Sequence, residues 1–295
     1  MSTHPTVLLL TLADDNLFHG IHKSLLDQIR LRGILLEARN PSSAQLCLEA
    51  GSCQAVLIVY SDPLLSQRSI YRRLRDHLRH YIEHQAGTVI FCGTFSTFVQ
   101  QHKCANFFKN EWDLEWSFGD YYRSTFKLNS EFMLLMAGQE TFDQNNKGLL
   151  GEYSQKTLQI KGMDATSSLY VSTEDSQLES MVFPTRNVRD AQQAPVVCQK
   201  YGKGVVAWFG DVNAEEGTTK AILAICGLSA TNAQMLAVCP ASATGVEIRT
   251  RALLFCFGCN QPENDEELQF RQCSRCKSAF YCSAEVSTES YFRSK

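Results

Sequence analysis

Residues 7–12 read VLLLTL and residues 55–60 read AVLIVY, and these two runs decide the fold. Each has the length of one strand, and a predominantly apolar run is typical of a strand that is buried on both faces of a parallel sheet. Two further strands are predicted at 34–38 and 88–92. Because segments of helical periodicity separate all four, the first 92 residues predict an α/β fold with a doubly wound parallel sheet.

The predicted helices between these strands carry start and stop signals. Asn16 and two acidic neighbours precede an amphipathic segment that Gly33 ends. Asn40, which is followed by proline, is an N-cap for the next helix. A longer helix presents Ile70, Leu74 and Leu78 on its inward, apolar face. These signals support the alternation of strand and helix.

The order of elements continues to residue 228, where a composition change predicts a domain boundary. Glycines at 202 and 204 predict a hairpin turn, a strand follows at 205–209, and a closing helix runs over 215–225. We therefore predict an α/β domain with a mostly parallel sheet over residues 1–228. An Ala-, Ser- and Thr-rich linker is predicted over 229–250, and a small module over 251–295.

Charge and hydropathy exclude several kinds of partner. The formal net charge of −3 gives no electrostatic footprint for nucleic acid or an anionic membrane. The chain has no run of about 20 apolar residues, and its first residues lack the pattern of a signal peptide. We expect a cytoplasmic or nuclear protein that binds neither nucleic acid nor membrane.

The twelve cysteines fall into two groups. Seven are scattered, and in a reducing compartment we expect them to behave as small buried hydrophobic residues. These are Cys47, Cys53, Cys92, Cys104, Cys198, Cys226 and Cys239. The other five lie close together at the end of the chain, where paired spacing is typical of metal binding rather than of disulfides.

The five clustered cysteines are the predicted metal ligands. They are Cys256, Cys259, Cys273, Cys276 and Cys282. A C-x2-C pair supplies two thiolates to one tetrahedral zinc ion, and two such pairs close a site. So small a module also has too few apolar residues to fold without a cross-link. Two ligand sets remain open: the first four cysteines, or a set in which Cys282 replaces one of them.

The spacing Cys256-x2-Cys259-x13-Cys273-x2-Cys276, followed by Tyr281-Cys282-Ser283, resembles the start of a MYND-type zinc finger. That resemblance implies eight ligands, two cross-braced zinc ions, and Cys256 and Cys259 bound to the same ion as Cys282. It also implies a protein partner that is recognised through a short proline-containing peptide.

The tail departs from the MYND pattern after Cys282. Val286 stands where the family has a cysteine, Ser294 stands near the position of a histidine, and the last ligand would fall beyond Lys295. No histidine follows His102, so no local imidazole replaces the missing ligands. We therefore expect a partial finger that holds at most one zinc ion.

The order of elements up to residue 228 is similar to the flavodoxin-like fold of class I glutamine amidotransferase-like domains. That resemblance implies a nucleophilic cysteine on a sharp turn between strand and helix, served by a downstream histidine and an acid. In this chain Cys92 ends the strand and Gly93 occupies the nucleophile position. The expected downstream histidine is also missing, so Cys92 is interpreted as a buried strand residue.

Other polar groups have structural interpretations. Asp211 and the acids that follow it are interpreted as a helix cap, and the arginines of residues 68–79 as a solvated helix face. The segment Asp120-Tyr-Tyr-Arg123, with Trp112 and Trp116, either packs in the core or lines a ligand-binding edge of the sheet. We expect a non-catalytic, zinc-binding interaction protein rather than an enzyme. The alternative is a hydrolase or transferase of the amidotransferase-like superfold with a non-standard active site.

Overall fold

The computed structural model describes residues 5–12, 16–51, 53–60, 62–136 and 148–228, together with 271–272 and 280–281. Within these residues one large sheet has ten strands in the order β2-β1-β3-β4-β10-β9-β7-β5-β6-β8. The strands are β1 Thr6–Leu10, β2 Ile34–Ala38, β3 Ala55–Ile58, β4 Thr88–Phe91, β5 Ser117–Leu128, β6 Glu152–Lys161, β7 Ser168–Val171, β8 Gln193–Ala194, β9 Val196–Tyr201 and β10 Gly204–Phe209.

Helices connect the strands of the first half and close the domain after β10. They are α1 Asn16–Ile21, α2 Lys23–Arg32, α3 Pro41–Glu49, α4 Asp62–Leu65, α5 Ser69–Gln85, α6 Thr94–Phe98, α7 Gln101–Trp112, α8 Ser130–Met136 and α9 Glu216–Ile225. A short 3-10 turn covers Ala165–Ser167. The chain is therefore a mixed α/β protein.

The parallel half of the sheet consists of β2, β1, β3, β4 and β10 in that order. This is the strand order of flavodoxin-like doubly wound sheets. Apolar residues of α3, α5 and α7 pack on one face, and those of α1, α2 and α9 pack on the other. Burial on both faces explains why β1 and β3 are continuously apolar.

The prediction of a mostly parallel sheet is wrong for the second half. From β10 onward every neighbouring pair is antiparallel. The predicted hairpin between β9 and β10 is confirmed, with Gly202 at φ +55° in the turn. Antiparallel strands need no crossover helix, so the segment between residues 117 and 201 lacks the alternation of strand and helix seen earlier.

Several local predictions can be compared with the structure. Asn40 caps α3, because its side-chain oxygen accepts a hydrogen bond from the Ser43 amide at 2.9 Å. The single helix predicted between Asn16 and Gly33 is divided at His22 into α1 and α2. The predicted inward position of Ile70 is wrong, because its side chain is exposed.

The chain forms two compact units, Met1–Ala241 and Ser242–Lys295. The predicted linker at 229–250 lies outside the described residues, so its bounds stay a prediction. In the second unit, β11 (Arg271–Gln272) pairs antiparallel with β12 (Phe280–Tyr281). Of the helices in the described ranges, none combines the length and the hydropathy that a bilayer crossing requires.

Candidate functional site

The candidate metal centre falls in the tail, and its five predicted ligands, Cys256, Cys259, Cys273, Cys276 and Cys282, lie outside the described residues. In the sequence, Cys273 and Cys276 come between β11 and β12, and Cys282 directly follows β12. A set of thiol donors has the chemistry that zinc prefers. Within the described ranges, no three His, Cys, Asp or Glu side chains are grouped closely enough to hold a metal ion.

A second candidate site is the turn at the carboxyl end of β4. The strand ends at Phe91, Cys92 follows, and Gly93 turns the chain directly into α6 with φ +64° and ψ −125°. Ser96 Oγ lies 3.0 Å from the carbonyl oxygens of both Gly93 and Phe209 and can donate to either. A sharp, strained turn between strand and helix is the geometry of a nucleophile elbow. The backbone at Gly93 therefore has the shape of such a turn.

The space beside Gly93 is already filled. A Cβ atom added there would lie 2.5 Å from Cε2 of Phe18 and 3.1 Å from Nε2 of His22. Real Cβ atoms do not approach a ring carbon that closely, so a nucleophilic side chain enters this position only if Phe18 moves. The turn at Gly93 thus offers no side chain for nucleophilic attack, and Phe18 and His22 occupy the space that such a side chain would need.

Cys92, the residue before the turn, is buried in the core. Burial raises the pKa of its thiol to about 12, so the residue stays a neutral thiol at physiological pH. The thiolate is the reactive form of cysteine, and a buried thiol without a cationic neighbour is inert. The structure confirms that Cys92 is a buried core residue, but the strand ends one residue earlier, at Phe91.

The other scattered cysteines behave in a similar way where they are described. Cys104, Cys198 and Cys226 are buried, and burial raises the pKa of each thiol. Cys47 and Cys53 are half-buried. Cys239 lies outside the described residues.

His22 is an ionisable group that lies beside the turn at Gly93. Its ring stacks on Phe18 with a centroid separation of 4.4 Å, and its side chain is buried. Burial lowers the pKa of His22 to about 4, which keeps the imidazole neutral at physiological pH. The sequence predicts Phe18 on the apolar face of its helix, which its burial confirms, but His22 was missed. The spacing of four positions between the two residues in a helical pattern was the available signal.

The prediction that the acids after β10 cap α9 is wrong in detail, because Glu215 at the N-cap position makes no side-chain capping hydrogen bond. Asp211 instead holds the loop that leads into the helix. The Asp211 carboxylate accepts from the amides of Asn213 at 2.8 Å and Glu215 at 2.7 Å. Burial raises the pKa of Asp211. Glu215 in turn forms an ion pair with Arg123 at 2.5 Å. These contacts give the acids a structural role.

The interpretation of the α5 arginines as a solvated face is wrong for Arg75. Its guanidinium is buried and donates to the two carboxylate oxygens of Glu111 at 2.9 and 3.2 Å. It also donates to the carbonyl oxygens of Leu64 at 2.7 Å and Ser66 at 2.9 Å. A buried cation is stable only with such partners, so Arg75 joins α5 to α7 and to the end of α4.

The aromatic stretch around β5 divides between core and surface. Trp112 and Trp116 are fully buried and belong to the core. Asp120, Tyr121 and Tyr122 instead line a surface cleft of about 610 Å³. The opposite wall of the cleft is formed by Leu178, Phe183, Pro184 and Arg186.

Comparison with protein families identifies the tail. The model of the MYND finger matches residues 256–292, which include all five predicted ligands. The MYND finger is a zinc-binding family, so zinc is confirmed as the cofactor of this segment, and such fingers are in general protein-interaction modules. The match does not extend to the α/β domain. A search of curated proteins finds no match to the chain.

Three solved structures similar to the α/β domain are glycoside hydrolases. An exo-β-1,4-mannosidase, Op5Man5 from Opitutaceae bacterium strain TAV5, has a TM-score of 0.35 at 10% identity over 79% of this chain and 36% of its own. A polyextremophilic β-galactosidase from the Antarctic haloarchaeon Halorubrum lacusprofundi has a TM-score of 0.42 at 13% identity. The comparison covers 76% of this chain and 30% of the β-galactosidase. A β-galactosidase from Bacillus circulans sp. alkalophilus has a TM-score of 0.41 at 8% identity. That comparison covers 76% of this chain and 31% of the β-galactosidase.

The chain spans about a third of the length of these hydrolases. Such low identities and TM-scores transfer neither fold nor activity to it. The three structures also give no support to the amidotransferase-like assignment of the α/β domain.

Proposed function

We propose that this chain is a zinc-binding protein-interaction protein in which the α/β domain is a non-catalytic scaffold. The observation that carries the proposal is the MYND finger match at 256–292, together with five thiols in the spacing of that family. A finger of this kind recruits a partner protein instead of performing chemistry. The family resemblance favours a partner protein that is recognised through a short proline-containing peptide.

The finger holds at most one zinc ion in this proposal. The ligands are Cys256, Cys259, Cys273 and Cys276, or a set in which Cys282 replaces one of them. Val286 has no metal-binding atom, and the tail from residue 251 to 295 has no histidine. Within residues 251–295, five thiols leave a second ion with only part of the four-ligand shell that structural zinc requires.

The α/β domain is, in this proposal, an amidotransferase-like domain that has lost catalysis. Three observations at the elbow support the loss: Gly93 has no side chain, Phe18 fills the adjoining space, and Cys92 is a buried neutral thiol. Hydrolysis or acyl transfer by a covalent route needs an exposed, activated nucleophile. Nothing at this turn favours the alternative of a hydrolase or transferase.

The proposed partner is a protein rather than nucleic acid or membrane. The tail has six basic and six acidic residues over 251–295, so it presents no net positive charge to a phosphate backbone. The net charge of −3 for the chain has the same implication. We place the protein in the cytoplasm or the nucleus, where thiols stay reduced and available to zinc.

Two measurements on the full chain test this function. Native mass spectrometry gives the zinc count for the parent chain and for a Cys256→Ser/Cys259→Ser variant, which should lose the metal. Cys47→Ser is the matched control, because it removes one half-buried thiol of the α/β domain and should leave the zinc count unchanged.

The second measurement is fluorescence anisotropy with a panel of labelled proline-containing peptides. Binding by the parent chain and not by the double variant supports the proposal. Binding that survives loss of the metal contradicts a role for the finger, and an amidase or esterase activity abolished by Cys92→Ser would overturn the non-catalytic interpretation.

A further inference from the structure

Residues 177–187 form a protruding loop, here called the tongue. Its base is closed by a bridge between Gln177 and Asn187 and by a hydrogen bond from the Leu178 amide to the Arg186 carbonyl at 2.8 Å. The Glu179 amide donates to the Arg123 carbonyl at 2.9 Å, which ties the tongue to β5. The tongue is therefore held in one conformation by backbone hydrogen bonds at its base.

The tip of the tongue is apolar and exposed. Met181, Val182 and Phe183 have relative exposures of 105, 82 and 67%. The Ser180 hydroxyl oxygen accepts from the amides of Val182 at 3.1 Å and Phe183 at 3.0 Å, which fixes the turn that presents them. Three adjacent large apolar side chains in an ordered loop are typical of an interaction surface.

A cleft that can receive such a tip lies at the side of the tongue. It has a volume of about 610 Å³ and an aromatic wall formed by Tyr121 and Tyr122 of β5. Tyr121 is 52% exposed, and Phe183 and Pro184 form the facing wall. One surface of the chain thus contains both an apolar projection and an aromatic recess.

We propose that this surface binds a second copy of the same chain, with Met181 and Val182 of each tongue tip in the cleft of the other copy, between the walls that Tyr121 and Phe183 form. An isologous dimer needs one self-complementary patch, which a projection beside a recess provides. Tyr121, Met181, Val182 and Phe183 together expose roughly 600 Å², so two copies bury about 1,200 Å², the lower limit of specific interfaces.

The charges of the cleft are also self-complementary. Asp120 and Arg186 both line it, and neither has an ion pair within the described part of the chain. In a two-fold arrangement Asp120 of one copy faces Arg186 of the other, and the reverse pair forms by symmetry. This pairing fixes the register of the two tongues, while the apolar tips supply most of the affinity.

Sedimentation velocity of the full zinc-loaded chain over about 1–100 µM tests the proposal. We expect a monomer–dimer equilibrium with a Kd in the micromolar range. Met181→Glu should raise that Kd tenfold or more, on the order of a hot-spot loss. The matched control is Leu31→Glu on α2, another exposed apolar residue, which should leave the Kd unchanged.

A charge exchange makes the test specific to contacts between copies. Asp120→Arg and Arg186→Asp should each be monomeric alone, because like charges then meet across the two-fold axis. An equimolar mixture of the two variants should form a heterodimer, because both facing pairs are again opposite in sign. A chain that is monomeric throughout, a dimer that Met181→Glu leaves intact, or a mixture that stays monomeric contradicts the proposal.

Discussion

Nε2 of His22 lies 3.1 Å from the point that a Cβ atom on Gly93 would occupy. In an enzyme with this elbow, a base at that distance would serve the nucleophile. Here the residue at the turn is glycine, which has no side chain, and Phe18 fills the space in which a reacting group would lie. The elbow is therefore a packed turn of the scaffold, and its contacts predict effects on stability.

Replacement of Gly93 by alanine should destabilise the α/β domain by about 2–5 kcal/mol. The cost has two sources, a backbone conformation that residues with a Cβ rarely adopt and overpacking against Phe18. Urea unfolding followed by tryptophan fluorescence measures it, because all three tryptophans, Trp112, Trp116 and Trp208, are buried in this domain.

Gly20→Ala is the matched control for that substitution. Gly20 lies within α1, and a Cβ added there meets no atom within 4 Å. This change should be neutral or stabilising by up to about 1 kcal/mol. Equal unfolding midpoints for Gly93→Ala and the parent chain would show that the space beside the elbow is open.

The stability of the domain should fall as the pH drops from about 6.5 toward 4. His22 is neutral in the folded state because burial lowers its pKa to about 4, whereas the unfolded chain takes up a proton near the ordinary value. The unfolded state thus binds more protons in this window, so unfolding becomes easier by up to about 3 kcal/mol at the acid end.

Urea unfolding midpoints at a series of pH values measure how the stability of the domain depends on pH. The substitution His22→Gln should flatten the pH dependence between 6.5 and 4. His80→Gln, at an exposed position on α5, should retain the slope of the parent chain. A His22→Gln profile parallel to that of the parent chain would contradict the assigned shift.

Loss of the Glu111 carboxylate should destabilise the domain by about 3–5 kcal/mol, because Arg75 is buried and would keep an uncompensated charge. The change to test is Glu111→Ala. Glu115→Ala is the control, since the pair of Glu115 with Lys109 is exposed and contributes at most about 1 kcal/mol. Similar midpoint shifts for both variants would refute the distinction between the two ion pairs.

The parallel half of the fold could be predicted from the sequence, because burial on both faces makes β1 and β3 continuously apolar. The antiparallel half could not. Strand β6 buries Gln155, Thr157 and Gln159 completely, so its sequence lacks the alternation of apolar and polar residues by which a strand is recognised. Polar residues in a core depend on tertiary contacts that no local pattern reveals.

The candidate sites show the same division. The sharp turn at Gly93 could be predicted, because it follows directly from the strand–turn–helix order of the sequence. The occupation of the space beside Gly93 by Phe18 could not be predicted, because it depends on how α1 packs against the turn after β4. The tongue was also missed, since the run Met181-Val182-Phe183 in a loop does not by itself distinguish a buried segment from an exposed one.

Native mass spectrometry of the full chain, purified with zinc, tests the central claim most directly. We predict one Zn²⁺ ion per chain, removed by a chelator and absent from the Cys256→Ser/Cys259→Ser variant, while the tryptophan unfolding midpoint of the α/β domain stays unchanged. A chain that binds no zinc, or one that holds two ions tightly, would contradict the account.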